Sequence, residues 1–260
     1  MRNTLIPLSD FIKPAMESIK PEEEVEQKIR TLECKSCNRS VEAVASATPG
    51  DWYYPNFDIH TRICSRCQKL ENIEEHLKTA GIPPKYYNAT LEAFKIDKLN
   101  KVAHNFCTSY VLQDKFDAGI FFFGPCGVGK TYLATAIARK MLLRNRNVFF
   151  TSTPDMLFQL RNTFSKDAVV TDEERIRKYL SYSFLILDDL GAEKWSTWVQ
   201  QTLDHIIYQR DASAMPAIIT SNLSPQEIQS RYGSRITSRI IGMSNVLKIT
   251  GHDRRRKSGR

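Results

Sequence analysis

"GIFFFGPCGVGKTYLATAIARK", Gly119 to Lys140, decides how this 260-residue chain is read. An apolar run, Gly119 to Phe123, suits a strand covered on both faces. It passes directly into Gly124 to Thr131, which satisfies G-x-x-x-x-G-K-[ST], and that loop opens a helical pattern. Gly124, Gly127 and Gly129 permit backbone conformations in which successive N–H groups turn inward as a nest for phosphates. Lys130 is placed to reach the β- and γ-phosphates, and Thr131 to offer its hydroxyl to Mg²⁺. Pro125, Cys126 and Val128 fill the remaining positions, so the whole loop is the predicted nucleotide-binding segment. The start of the helix adds partial positive charge.

Working outward, "FLILDDLG" (Phe184 to Gly191) reads as a buried strand that delivers Asp188 and Asp189 to the crevice where ligands sit in such sheets. Asp188 is the expected partner of Mg²⁺, and Asp189 is placed to orient and deprotonate an attacking water. "AIITSN" ends a further strand at Ser221 and Asn222, where a polar side chain would hold that water against the γ-phosphate. "NVFF" and "NVLKIT" are two more strands. Helical patterns fall between them in "NKVAHNFCTSYVLQ", "PDMLFQLRNTF", "TDEERIRKYL", "WSTWVQQTLDHIIYQR" and "SPQEIQSRYG". Thr171 with Glu174, and Ser224 with Glu227, are capping-box pairs. Apolar strands alternating with helices predict an α/β fold, a parallel sheet with helices on both faces in three layers. In "SRYGSRITSRI" the four-residue spacing of Arg231, Arg235 and Arg239 puts them on one helix face, unless Gly233 breaks the helix.

The region before this pattern has a different character. Residues 1–80 hold 11 Lys and Arg against 13 Asp and Glu, whereas residues 81–260 hold 26 against 16. Helical material starts at Pro21 and again in "CQKLENIEEHLKTAG", where Gly81 is a C-terminal stop. Between them Cys34-x₂-Cys37 and Cys64-x₂-Cys67 have the spacing of a closed Zn²⁺ site, with His60 as a substitute ligand. No secretory signal or apolar span of bilayer length is present, so a cytoplasmic protein without a membrane partner is expected. Reduced thiols in that compartment favour zinc over disulfides. The negative charge of the segment favours a protein partner over DNA. The expected organisation is an N-terminal helical and zinc-binding docking domain (1–80), a nucleotide-binding domain (81–253) and a basic tail (254–260), with "IPPKYYNATLEAF" (Ile82 to Phe94) as a linker or collar.

Taken in order, "IPPKYYNATLEAF", "GPCGVGKT", "LILDDLG", "ITSN" and "SRITSRI" resemble the AAA+ ATPases of the helicase-loader family, which includes the DnaC and DnaI loaders and the IstB-type transposition helpers. The resemblance spans residues 82–255. It implies an ATPase using ATP and Mg²⁺ that assembles side by side on single-stranded DNA and delivers a replicative DNA helicase, gripped through residues 1–80. A transposition helper acting on double-stranded DNA with a transposase is the alternative. A small-molecule kinase is disfavoured because no arginine-rich lid insertion is present.

By position in the family Arg239 is the implied arginine finger, Arg235 the second candidate, and a finger given in trans implies a homo-oligomer. Such an arginine is worth roughly 10³- to 10⁵-fold in rate. Many AAA+ proteins carry Asp-Glu where this chain has Asp188-Asp189, which predicts slow, switch-like hydrolysis. Arg254 and Arg255 are candidates for a second sensor or simply part of a basic tail. The helix "TPDMLFQLRNTF" is the implied DNA contact, with Arg161 and Lys166 toward phosphates and Phe158 and Phe164 expected in the core.

Overall fold

In the computed structural model residues 72–161 and 172–255 are described continuously, and before them only 31–35, 38, 40–42, 44–45, 52–53, 57–58, 62–65 and 68. The chain divides into two compact units, residues 1–68 and 69–260.

In the first unit, β1 (Thr31–Glu33) pairs antiparallel with β2 (Ser40–Glu42), β3 (Val44–Ala45) with β4 (Trp52–Tyr53), and β5 (Phe57–Asp58) with β6 (Ile63–Cys64). Cys34 is fully buried against Val41, Phe57 and Ile63. The Lys35 N–H donates to the Arg62 carbonyl at 3.1 Å, tying the backbone after Cys34 to the strand that leads into Cys64. Cys37, Cys67, His60 and the helix expected from Pro21 lie outside the described residues. Among the described residues no group of three or more His, Cys, Asp or Glu is arranged to hold a metal.

The second unit is built on five parallel strands: β7 (Gly119–Phe123), β8 (Val148–Ser152), β9 (Phe184–Leu190), β10 (Ala217–Ser221) and β11 (Ser244–Lys248). Their order across the sheet is β11-β7-β10-β9-β8. Helices α1 (Ile73–Thr79), α2 (Lys101–Tyr110), α3 (Lys130–Leu143), α4 (Thr153–Arg161), α5 (Asp172–Ser181), α6 (Thr197–Ala212), α7 (Pro225–Tyr232) and α8 (Ser234–Gly242) cover it. Side chains alternate across a strand. Ile120 and Phe122 of β7 therefore enter one core with α1, α2 and α3, while Phe121 enters the other with α4 to α8. No helix among the described residues is long and apolar enough to cross a membrane.

Three expectations change in the tertiary structure. The boundary expected after residue 80 falls inside the second unit, because Ile73, Leu77 and Ala80 are buried in its core. Phe158, expected in the core, is 66% exposed: α4 buries Met156, Leu157 and Leu160, and Phe158 points away from that face. Phe164 and Lys166 lie outside the described residues. Gly233, at φ 91°, is the break that the sequence allowed for: it divides the arginine-bearing segment into α7 and α8, so Arg231 leaves the face shared by Arg235 and Arg239. Arg254 and Arg255, expected to begin a tail, line the cavity at the phosphate loop, and only the residues after them lie outside the description. The Ser224 and Glu227 capping box forms in full at the start of α7, while Thr171 of the other expected pair is outside the described residues.

Candidate functional site

The strands β7, β9 and β10 end side by side, and what each carries at its C-terminal end converges on one cavity of about 630 Å³. After β7 the chain turns through the loop to Gly129, whose φ of 104° opens α3. Gly127 has φ 78°, and a Cβ there would lie 1.8 Å from Asp253 Oδ1. That position therefore needs glycine both for its backbone angle and for the segment that crosses above it.

Lys130 begins α3 and is almost completely buried. Its ammonium donates to the Gly124 carbonyl at 2.8 Å, the Pro125 carbonyl at 2.7 Å and Asn222 Oδ1 at 2.7 Å. Burial lowers its pKa from the ordinary lysine value. The three acceptors form a cradle that holds the cation at the mouth of the loop, where phosphate oxygens would replace them.

Asp188 is buried at the end of β9. Its Oδ1 accepts from the Thr131 hydroxyl at 2.8 Å and from the Thr220 hydroxyl at 2.6 Å. Burial pushes its carboxyl above the usual carboxylate range; the Thr220 and Thr131 hydrogen bonds oppose that, and the charge of Asp189 adds to it. Carboxylate and hydroxyl oxygens without nitrogen or sulfur are the donor set that Mg²⁺ prefers. Thr131 and Asp188 thus fit such an ion when it arrives with a nucleotide. Asp189 has a left-handed backbone, φ 53°, and lines the cavity with Lys130, Thr131 and Asn222.

The other wall comes from the linker motif, the residues just after it and the two arginines that were candidates for a second sensor. Tyr86 and Phe94 from the expected linker, and Ile96 and Asp97 just after it, line the cavity together with His252, Arg254 and Arg255. The Arg254 guanidinium lies 4.5 Å over the Phe94 ring and donates to the Lys95 carbonyl at 2.6 Å and to Asp97 Oδ2 at 3.0 Å. Its backbone N–H donates to the Gly127 carbonyl at 3.0 Å. The sequence signals were the linker motif for Tyr86 and Phe94 and the second-sensor candidacy of Arg254 and Arg255; Ile96, Asp97 and His252 carried none.

The arginines of α8 stand apart from this cavity. Arg239 donates to Asp204 Oδ1 of α6 at 2.6 Å and covers the Tyr208 ring at 4.7 Å. Arg235 reaches the other oxygen of Asp204 at 3.6 Å with its side chain 72% exposed. Arg231 instead donates to the Glu193 carbonyl, beside the Tyr232 hydroxyl that donates to Glu193 Oε1.

A parallel sheet in this order, with a phosphate loop after β7 and two carboxylates at the end of β9, separated from it by β10, defines a P-loop NTPase. Residues 71–260 match the model of the IstB-like ATP binding protein family, and the chain belongs to that family. The replicative helicase loader DnaC of Buchnera aphidicola subsp. Schizaphis graminum is 25% identical over 190 residues, covering 71% of this chain and 76% of the relative. The replicative helicase loader DnaI of Bacillus subtilis is 24% identical over 221 residues, covering 77% and 70%. Among solved structures, the DnaC helicase loader matches with a TM-score of 0.59 at 27% identity, covering 65% of this chain and 100% of that one. DnaI matches at 0.57 and 27%, covering 66% and 94%.

Proposed function

We propose that this protein is a Mg²⁺-dependent, DNA-stimulated ATPase that loads a replicative helicase onto single-stranded DNA. The observation that carries the reading is the Lys130 ammonium bridging the phosphate loop to Asn222 at 2.7 Å, beside Asp188 and Asp189. On one cavity, or directly behind its lining, stand groups suited to ATP hydrolysis: the phosphate loop, Asp189 for water and Asn222 at the γ-phosphate end on the lining, and the carboxylate of Asp188 hydrogen-bonded to the lining Thr131. The relatives and solved structures named as helicase loaders supply the direction. They favour loading over transposition, the alternative to which the IstB-like name of the family points.

In this reading Lys130 stabilises the transferring phosphoryl group, Thr131 and Asp188 hold Mg²⁺, Asp189 takes the proton of the attacking water, and Asn222 orients that water. Arg239, or the more exposed Arg235, completes the site of a neighbouring copy, which makes the active form an oligomer. The excess of Lys and Arg in residues 81–260 favours DNA phosphates, with exposed Phe158 and Arg161 on α4 as a stacking and phosphate contact. Residues 1–80 grip the helicase, and Cys34, Cys37, Cys64 and Cys67 bind a structural Zn²⁺. The buried Cys34 and the Lys35 to Arg62 hydrogen bond support that pairing of the two cysteine segments.

The test incubates the full chain with a hexameric replicative helicase and single-stranded DNA, with and without ATP, for wild type and Lys130→Ala. Wild type forms an ATP-dependent ternary complex with DNA-stimulated turnover, and Lys130→Ala forms none. Turnover stimulated by double-stranded DNA, with helicase not retained, would support the transposition alternative. Elemental analysis of the purified protein should find one zinc per chain.

A further inference from the structure

We propose that Thr220 is a positioning residue for hydrolysis: one buried hydroxyl sets both the carboxylate of Asp188 and the backbone of Asp189. The inference rests on the ATPase reading and deepens it. The register of β10 against β9 pairs Ile219 with Leu187 and then Ser221 with Leu190, so Thr220 alone faces the two residues Asp188 and Asp189. That is a β-bulge, whose extra residue loses its ladder partner. The Thr220 hydroxyl takes the partner's place. Its oxygen accepts from the Asp189 N–H at 3.0 Å, and its proton goes to Asp188 Oδ1 at 2.6 Å.

Both halves of this arrangement matter to the site. A non-glycine residue holds a left-handed backbone like that of Asp189, φ 53°, when its surroundings over-determine it, and the hydroxyl is one of those constraints. For Asp188, Thr131 from α3 and Thr220 from β10 fall on the same oxygen, and no donor among the described residues falls on Oδ2. The carboxylate is thereby fixed in rotation with one oxygen left for a cation. Thr220 itself is fully buried and is not part of the cavity lining, so it acts only through its two neighbours.

A packing role and a positioning role predict opposite rankings. Valine keeps the shape of threonine and suits a buried strand, whereas serine keeps the hydroxyl and loses a methyl. The experiment uses the full chain with Thr220→Val and Thr220→Ser. Binding of a fluorescent ATP analogue in EDTA, expected to be unchanged in both, checks the fold; if the valine variant does not fold, Thr220→Ala is read in its place. Mg²⁺ is then titrated for its effect on nucleotide affinity, and hydrogen exchange of the Asp189 amide is followed without nucleotide.

In Thr220→Val the Mg²⁺ half-saturation rises about tenfold or more, and kcat falls about 10- to 100-fold with the KM for ATP unchanged. The Asp189 amide exchanges faster in that variant. Thr220→Ser stays within about twofold of wild type on every readout. Wild-type Mg²⁺ response and amide exchange in Thr220→Val, or a serine variant as impaired as the valine one, overturns the proposal. If the protein binds nucleotide but never hydrolyses it, the ATPase reading fails, and the titration and the exchange still decide the role of Thr220.

Discussion

Replacing Asp188 by asparagine should stabilise the nucleotide-free protein while removing its response to Mg²⁺. The carboxylate is buried, forms no ion pair among the described residues, and receives two hydroxyl donors on Oδ1. An unpaired buried charge costs several kcal/mol, and hydrogen bonds to a charged group return about 1.5–3 kcal/mol each. Asparagine keeps an acceptor for both hydroxyls and removes the charge, a net gain of about 1–2 kcal/mol. For a unit of this size that corresponds to a Tm higher by about 2–8 °C.

The pH dependence follows from the raised pKa of Asp188. The folded protein holds this proton more tightly than the unfolded chain does. The stability it contributes is therefore present below the ordinary carboxylate range and lost as pH rises through the raised value. The advantage of Asp188→Asn should be widest near pH 8 and shrink toward pH 4, as wild type takes up the proton. The assay is thermal unfolding in EDTA at a series of pH values, repeated with Mg²⁺ and ATP. Saturation at 100 times Kd should raise wild type by about 2.7 kcal/mol and the variant far less. A lower Tm for Asp188→Asn at pH 8, or a gap independent of pH, refutes the assignment of Asp188 as a charge waiting for its cation.

Four further outcomes are expected. Gly127→Ala, with φ 78° and a clash against Asp253, should weaken nucleotide binding at least tenfold at a strain of about 1–3 kcal/mol, whereas Gly242→Ala, with nothing within 4 Å, should leave binding unchanged. Arg210→Met should lower stability by about 3 kcal/mol or more in urea unfolding: this buried guanidinium, its pKa lowered by burial to about 10, donates to the carbonyls of Tyr179, Tyr182 and Pro216, which the variant leaves unsatisfied. Phe158→Ala should weaken single-stranded DNA binding by about 1–3 kcal/mol with no change in Tm, measured by fluorescence anisotropy. Mixing Lys130→Met chains with Arg239→Ala chains should restore part of the turnover that each lacks alone, since one supplies the finger and the other an intact site; no recovery excludes Arg239 as a finger in trans.

The parts of the site that were legible in the sequence are those whose chemistry is local. The phosphate loop needs its glycines, lysine and threonine within eight consecutive residues between a strand and a helix. Asp188, Asp189 and Asn222 stand at the ends of apolar runs, so their arrival at one sheet edge follows from parallel pairing. The Ser224 and Glu227 cap spans four residues and forms as its pattern requires. Phe158 was misjudged because an aromatic residue is apolar whichever way it faces, and the surfaces offered by β8 and β9 chose the Met156, Leu157 and Leu160 face of α4.

What this sequence by itself determined is an alternation of strands and helices and the identity of the groups at the strand ends, because those depend on backbone preferences and burial over a few residues. Only the tertiary structure decided which distant groups share an atom. Thr131 and Thr220 meet on one oxygen of Asp188 across separations of 57 and 32 residues, and Arg254 reaches Asp97 across 157. The two contacts on Asp188 follow from the order of strands and from one extra residue in β9, and neither leaves a local trace. The physical reason is that hydrogen-bond geometry is set by where whole elements pack, while the motif encodes only what each element brings.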